Sequence, residues 1–205
     1  MTKALTLTEP YASLVARGVK RIETRSWSTS YRGPIAIHAA AGFAPLRKLG
    51  YPGTLDGMRE MIWDTRSLWE ACNAASDGPG GPLSCGWLDQ GRVFPLPFSL
   101  TLGKIIAVAE LVDCLPTVYR PGAGRSFCPP PLARRLAENG HETACGDFSP
   151  GRYAWILENV RQVEPLSPRD ENGRHPFAQG LWTVPGPIEF QLRAQLLAES
   201  QPTSG

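Results

Sequence analysis

The chain has 205 residues, 42% hydrophobic and 20% charged, which suits one domain, or one domain with an insertion, around a sizeable core. Its formal net charge of +2 is too small to argue for bulk nucleic-acid binding through a broadly basic surface, so any basic site has to be built from a few positioned Arg and Lys side chains. No stretch approaches the ~20 apolar residues of a membrane-spanning helix, and the N-terminal residues lack a secretory-signal pattern. The five cysteines are odd in number and irregularly spaced. A reducing, cytoplasmic compartment without membrane association is therefore expected.

In chain order, Ala4, Leu5, Thr6 and Leu7 predict a short strand that stops at Glu9 and Pro10. Pro10 suits a first helical turn, Tyr11, Leu14 and Val15 recur on one helical face, and Gly18 is a C-terminal stop. Residues 21–27 read as an extended segment, and residues 35–39 (IAIHA) as a second, buried strand. From about residue 42 to 100 the character changes. Residues 55–75 read as one helix on the spacing of Met58, Met61, Ile62, Leu68, Trp69 and Cys72, followed by Gly/Pro-rich loops. This stretch reads as an insertion packed on the rest.

Strand patterning resumes at 103–113 (GKIIAVAELVD). A Pro-rich loop at 119–131 and a short helix at 132–139 follow, with Leu132 and Leu136 on its apolar side. Residues 152–160 (RYAWILENV) and 180–184 (GLWTV) predict two more strands. Residues 188–197 suit strand or helix equally, and the terminal residues 198–205 predict a disordered tail. Several short strands with few helices, joined by Gly/Pro turns, give an α+β, mainly β chain: a small closed or nearly closed β-barrel with flanking helices and a helical insertion.

The densest polar cluster is GVKRIETRSW, residues 18–27. In an extended chain Lys20, Ile22 and Thr24 face one way, and Arg21, Glu23 and Arg25 the other. Lys20, Glu23 and Arg25 together offer an ammonium, a carboxylate and a guanidinium. Such a set holds a phosphate or the polar edge of a base, or activates water if Lys20 or Glu23 has a shifted pKa. The plainer alternative is a solvated salt-bridge ladder on an edge strand.

Gly18, Lys20, Glu23 and Arg25 match a GxKxxExR signature, and in this respect the chain resembles the ASCH family. The lead-in ALTLTEPYASLVARG, the block YRGPIAIHA, and the C-terminal blocks GDFSPGRYAWILENV and GLWTV resemble the corresponding parts of phage- and bacterial-type members. The matched blocks cover about half the chain and leave the 42–100 stretch uncovered. The resemblance implies a single PUA-like domain over residues 1–197, with conserved polar residues lining a cleft beside the first helix. It implies RNA or a nucleotide-type small molecule as the partner, and either a binding module or a hydrolase related to acetylated-cytidine amidohydrolases or ribonucleases. In amidohydrolase relatives a Thr stands three positions after the motif Lys. Here Glu23 occupies that place, and Thr24 is one step away, on the opposite face of a strand.

On this reading Lys20 and Glu23 are the catalytic candidates if the protein is an enzyme. Arg25 is suited to bidentate recognition of phosphate or carboxylate. Trp27, after Ser26, either stacks on a base or plugs the barrel. Tyr11 faces the same region or lies in the core. Arg32 reaches a phosphate from its turn or is structural, and His38 is a catalyst or a satisfied core residue. Ser149, Gly151 and Arg152 open the last long strand in a turn where backbone N–H groups meet an anion. Cys128, His141 and Cys145 lack the paired spacing of a zinc site, so no metal or cofactor is expected. A third reading places the function on the insertion, with Trp63 and Trp69 turned to a protein partner. Oligomeric state is left open by the sequence.

Overall fold

The computed structural model describes residues 1–75, 98, 100–117, 128–169 and 180–198. Its centre is a mixed six-stranded sheet built from β1 (Lys3–Leu7), β2 (Ile22–Arg25), β3 (Gly33–Ala39), β4 (Ile105–Pro116), β5 (Tyr153–Leu166) and β6 (Leu181–Thr183). The strand order is β2-β5-β4-β3-β1-β6, with β1 and β3 parallel and the other neighbours antiparallel. The α+β expectation holds. The sheet curls into a half-barrel, with β2 and β6 as its free edges. The curl follows from the two long central strands, because β4 shifts register against β5 at three places and β3 against β4 at one. Each such irregularity adds local bend and twist.

Both faces of the central strands are covered. On one face Leu5, Leu7, Ile35, Ile37, Ala107 and Trp155 pack with Ala12 and Val15 of helix α1 (Tyr11–Ala16). On the other, Ala4, Ala36, Val108 and Trp182 pack with Ile188 and Leu192 of α6 (Gly186–Ala198). That burial on two sides explains why β1 and β3 read as nearly continuous apolar runs. It also decides the ambiguous C-terminal segment. Ile188 and Leu192, four residues apart, dock one helical face on the sheet, and tertiary packing overrides a neutral propensity. The helix includes Ala198; the rest of the expected tail, 199–205, lies outside the described residues.

The segment read as one helix is two, α2 (Leu55–Asp64) and α3 (Arg66–Ala74), broken at Thr65, whose φ −107° and ψ 90° are not helical. In a continuous helix Ile62 and Leu68 would point about 120° apart. The break lets Met58, Met61 and Ile62 share one core with Leu68, Ala71 and Cys72. Before them lies a 3-10 helix, Ala44–Leu49, whose Leu46 joins the same cluster. Leu14 of α1 and Cys145 of the short α5 (Glu142–Cys145) complete it, so this helical layer is packed on the rim of the sheet. Trp69 is half-buried against that cluster, while the Trp63 side chain lies outside the described residues.

Helix α4 (Pro130–Glu138) starts two residues earlier than expected, on prolines suited to a first turn, and buries Leu132 against Ile22, Ala154 and Ile156. The Pro-rich loop before it lies mostly outside the described residues. β5 runs to Leu166, six residues beyond the sequence reading, because β4 pairs with it as far as Ile105. Among the described residues no helix is long and apolar enough to cross a membrane.

Candidate functional site

Helix α1 ends at Arg17, and Gly18 takes a left-handed conformation at φ 73° that a side chain would resist. The N–H groups of Val19 and Lys20 both donate to the Leu14 carbonyl at 3.0 Å, so Lys20 still belongs to the turn that closes the helix. Strand alternation therefore begins only at Ile22, and Lys20 is not on the face with Ile22 and Thr24 that an extended chain would assign it. Its side chain is fully buried. The ammonium donates to the Ile22 carbonyl at 2.5 Å and the Cys145 carbonyl at 2.8 Å, and lies 3.1 Å from Glu23 Oε2. These three acceptors match its three N–H donors.

Glu23 is held from its other side as well. Arg25 Nε lies 3.1 Å from Glu23 Oε1, and Arg25 Nη2 donates to the Thr6 carbonyl of β1 at 3.0 Å. The carboxylate is thus fixed between an ammonium and a guanidinium, the second of which ties β2 to β1.

A second carboxylate anchors the loop itself. Glu142, fully buried, accepts from the backbone N–H groups of Arg21 at 2.6 Å and Ile22 at 3.1 Å. Asn139 Nδ2 bridges it to the Val19 carbonyl, at 3.1 and 2.7 Å. Burial pushes the Glu142 carboxyl above its ordinary range, against the opposing pull of the Lys20 charge and those two N–H donors. Nothing in its sequence neighbourhood marks Glu142, since its partners lie about 120 residues earlier.

In front of Glu23 lies a cavity of about 350 Å³. One wall is Glu23, Thr24 and Arg25, and the floor is Thr6 and Leu7 of β1, Thr8 just after it, and Tyr11 of α1. Pro45, Leu46 and Leu49 of the 3-10 helix form a further wall, and the last is Ala144 to Asp147 with Arg152. Thr24 lines this space together with Glu23, contrary to the simple alternation, because β2 is an edge strand and the cavity reaches round it. Lys20 stands behind the wall, its ammonium 5.9 Å from the Tyr11 ring centroid. Burial raises the Tyr11 phenol to about 12, with Cys145 and Glu23 adding to the rise.

The Asp147–Arg152 side repeats the pairing of acid and guanidinium. Arg152 Nη2 lies 2.8 Å from Asp147 Oδ2, the Ser149 N–H donates to Asp147 Oδ1 at 3.0 Å, and the Asp147 N–H donates to Thr24 Oγ1 at 2.9 Å. The Ser149 hydrogen bonds, with the Arg152 charge assisting, hold the Asp147 carboxyl below the usual range. The turn expected to receive an anion uses its N–H groups internally: Ser149 gives its own to Asp147, and Arg152 gives its own to Thr117 Oγ1 at 3.1 Å. The signal for Asp147 was an aspartate two residues before a serine, the pattern of an Asx turn.

Of the sequence candidates, the structure brings together Tyr11, Glu23, Arg25 and Arg152 around one space, with Lys20 behind them. Ser26 is exposed and is not among the lining residues. Trp27 plugs the half-barrel, its ring edge-on to Trp155 at 4.5 Å and its carbonyl accepting from Trp155 Nε1. Arg32 pairs with Asp113 at 3.2 Å, away from the cavity. His38 is buried, its Nδ1 3.2 Å from Thr6 Oγ1, which also accepts from Trp182 Nε1 at 3.1 Å, so it sits one layer behind the floor. The cavity residues that the sequence did not single out include Thr8, Pro45, Leu46, Leu49 and Asp147, while Cys145 was weighed there only as a metal ligand. Cys145 lines the space as a protonated thiol, since burial pushes its pKa to about 11. No group of His, Cys, Asp and Glu fit to hold a metal occurs among the described residues.

No curated protein matches the sequence. Among solved structures, the chain is similar to an ASCH protein from Zymomonas mobilis, at 11% identity over 94% of each chain with a TM-score of 0.45. A tyrosine-to-phenylalanine variant of that protein matches at 12% identity over 94% of this chain and 96% of the other, with a TM-score of 0.44. A model of the ASCH domain matches residues 5–167, most of the chain and all the motif residues discussed above. The chain therefore belongs to the ASCH domain family, and in it the domain is a six-stranded half-barrel with flanking helices.

Proposed function

We propose that the cavity in front of Glu23 binds RNA or a modified nucleoside, one nucleotide-sized unit at a time. The observation that carries this is the Glu23 carboxylate, fixed between Lys20 and Arg25 at the wall of a cavity of about 350 Å³. That volume is near the lower end of small-molecule sites, about 300–1,000 Å³. An acceptor locked by two cations needs no reorganisation when a ligand arrives, which lowers the entropic cost of binding. ASCH domains also fall in a PUA-like class associated with RNA binding, which supports the same partner. The test is retention of acetylated cytidine and of a mixed RNA pool by the wild type and by Arg25→Ala. Retention that drops in the variant, with its folded far-UV spectrum kept, supports the reading. Equal retention by both removes it.

A second reading, hydrolysis of an acylated nucleoside or of RNA, is favoured by Tyr11 and Glu23 lining one space. In this frame Lys20 has its three N–H groups committed, so it acts as a fixed charge that positions the Glu23 carboxylate, and Glu23 is the base. Product release from acetylated cytidine with a pH-rate profile lost in Glu23→Gln supports catalysis. Binding with no product from either substrate leaves the protein a reader.

A further inference from the structure

Resting on the nucleotide reading, we propose that the site selects an uncharged nucleobase rather than a phosphate, and that the 3-10 helix Ala44–Leu49 supplies the apolar wall on which the flat face of that base lies.

The polar side of the cavity argues for an uncharged group. Its four charged residues are two arginines and two carboxylates, and each arginine already has an ion-pair partner, Arg25 with Glu23 at 3.1 Å and Arg152 with Asp147 at 2.8 Å, while the buried Nε of each lacks a hydrogen-bond acceptor that a base edge can supply. Their formal charges cancel. Lys20, behind the wall, is surrounded by Glu23 and two carbonyls. A phosphate entering here would meet the Glu23 and Asp147 oxygens as well as the guanidinium groups, and like charge at close range is unfavourable. The edge of a base presents donors and acceptors together without net charge. That is the complement of a wall in which carboxylate and guanidinium alternate.

The apolar part of the lining argues for a flat apolar face. Pro45, Leu46 and Leu49 carry no polar side-chain group into the cavity. Leu46 is 1% exposed and locked in the core of the helical layer, so the wall is rigid. Leu49, one turn on, is 58% exposed at the same wall. A large aliphatic side chain left in water at the lip of a polar cavity gains by being covered, and a stacked ring covers it without asking for a hydrogen bond. This wall lies outside the GxKxxExR motif, though within the residues 5–167 that the ASCH domain model matches.

The experiment is titration calorimetry on the full chain with cytidine, acetylated cytidine, uridine, adenosine and guanosine, repeated with inorganic phosphate as competitor. Leu49→Ser and Leu49→Met are the variants, at a position exposed enough for both to fold. The wild type is expected to bind at least one nucleoside, with little change on adding millimolar phosphate or on raising salt. Leu49→Ser is expected to weaken binding about tenfold, and Leu49→Met to keep it. A nucleoside bound equally by wild type and Leu49→Ser overturns the apolar wall while leaving the nucleotide reading in place. Displacement by phosphate overturns the selection for an uncharged base. A wild type that binds none of the five overturns the inference together with the reading beneath it.

Discussion

The Lys20 ammonium and the Glu23 carboxylate lie 3.1 Å apart, with Lys20 wholly buried and two backbone carbonyls, Ile22 and Cys145, completing its hydrogen bonds. The pair joins the loop after α1, the edge strand β2 and the end of α5 at one charge. It is an anchor as much as a feature of the cavity wall.

Replacing Lys20 by Met is therefore expected to destabilise the fold. The variant leaves Glu23 charged beside the methyl group and strips two carbonyls of their donor. Breaking a buried pair from one side costs about 3–5 kcal/mol. Urea unfolding should show that loss as a lowered midpoint with an unchanged slope. Glu23→Gln keeps an acceptor oxygen within reach of Lys20 and should cost clearly less. Equal stabilities of wild type and Lys20→Met would mean that the anchor contributes nothing net.

The same residues show what the sequence could disclose. Gly18, Lys20, Glu23 and Arg25 stand close together in the chain, so a motif reading finds them, and the strands around them announce themselves through local apolar patterning. What it could not find were partners made by topology. Glu142 reaches the N–H groups of Arg21 and Ile22 across about 120 residues. Leu49 lines the same cavity as Arg25, although 24 positions separate them in the chain. The break at Thr65 has no Gly or Pro to announce it; it arises because two apolar stripes must meet one core. Trp27 and His38 remained open between site and core because an aromatic or a histidine on an apolar strand looks the same in either role until its neighbours are known.

Glu142 makes the protein's stability depend on pH with a definite sign. Burial raises its carboxyl pKa in the folded state above the usual 4.5, so the folded form holds that proton more tightly than the unfolded chain does. Its contribution is then fully present below 4.5 and is lost as pH rises through the folded-state pKa. Glu142→Gln removes the titration, at a constant cost from turning an amide donor toward an N–H group. The melting-temperature gap between wild type and Glu142→Gln should accordingly narrow from pH 4 to pH 7. Comparing the two proteins cancels the opposite trends of Asp147 and Glu189, whose carboxyls are held low. A gap that is constant or widens over that range would contradict the assignment.

The thiols should divide by burial. Cys72 is pushed to about 12 and Cys145 to about 11, both by desolvation in the helical layer. Cys114 is only half-buried, on β4. Because the thiolate is the reacting form, a thiol reagent at pH 8 should modify Cys114 well before Cys72 and Cys145, which it should reach only on unfolding. Peptide mapping after timed labelling gives the order. Labelling of Cys145 as fast as Cys114 in the folded protein would contradict a buried thiol held well above its ordinary range.

Gly146 reports on the cavity wall itself. A Cβ placed there would stand 2.8 Å from the Phe148 ring and 3.2 Å from Thr24 Cγ2, both closer than ordinary contact. The ring packs against the cluster under α4, so Gly146→Ala has to displace either Phe148 from that cluster or Thr24 from the strand. Overpacking of this kind typically costs about 1–3 kcal/mol. Moving Thr24 also loosens the hydrogen bond it accepts from the Asp147 N–H, and with it the Asp147–Arg152 side of the cavity. Gly146→Ala is therefore expected to lower the melting temperature and to weaken nucleoside retention in the protein that remains folded. Retention at the wild-type level despite a lowered melting temperature would separate the two effects, placing the ligand against Glu23 and Arg25 alone and leaving Asp147 and Arg152 a purely structural pair.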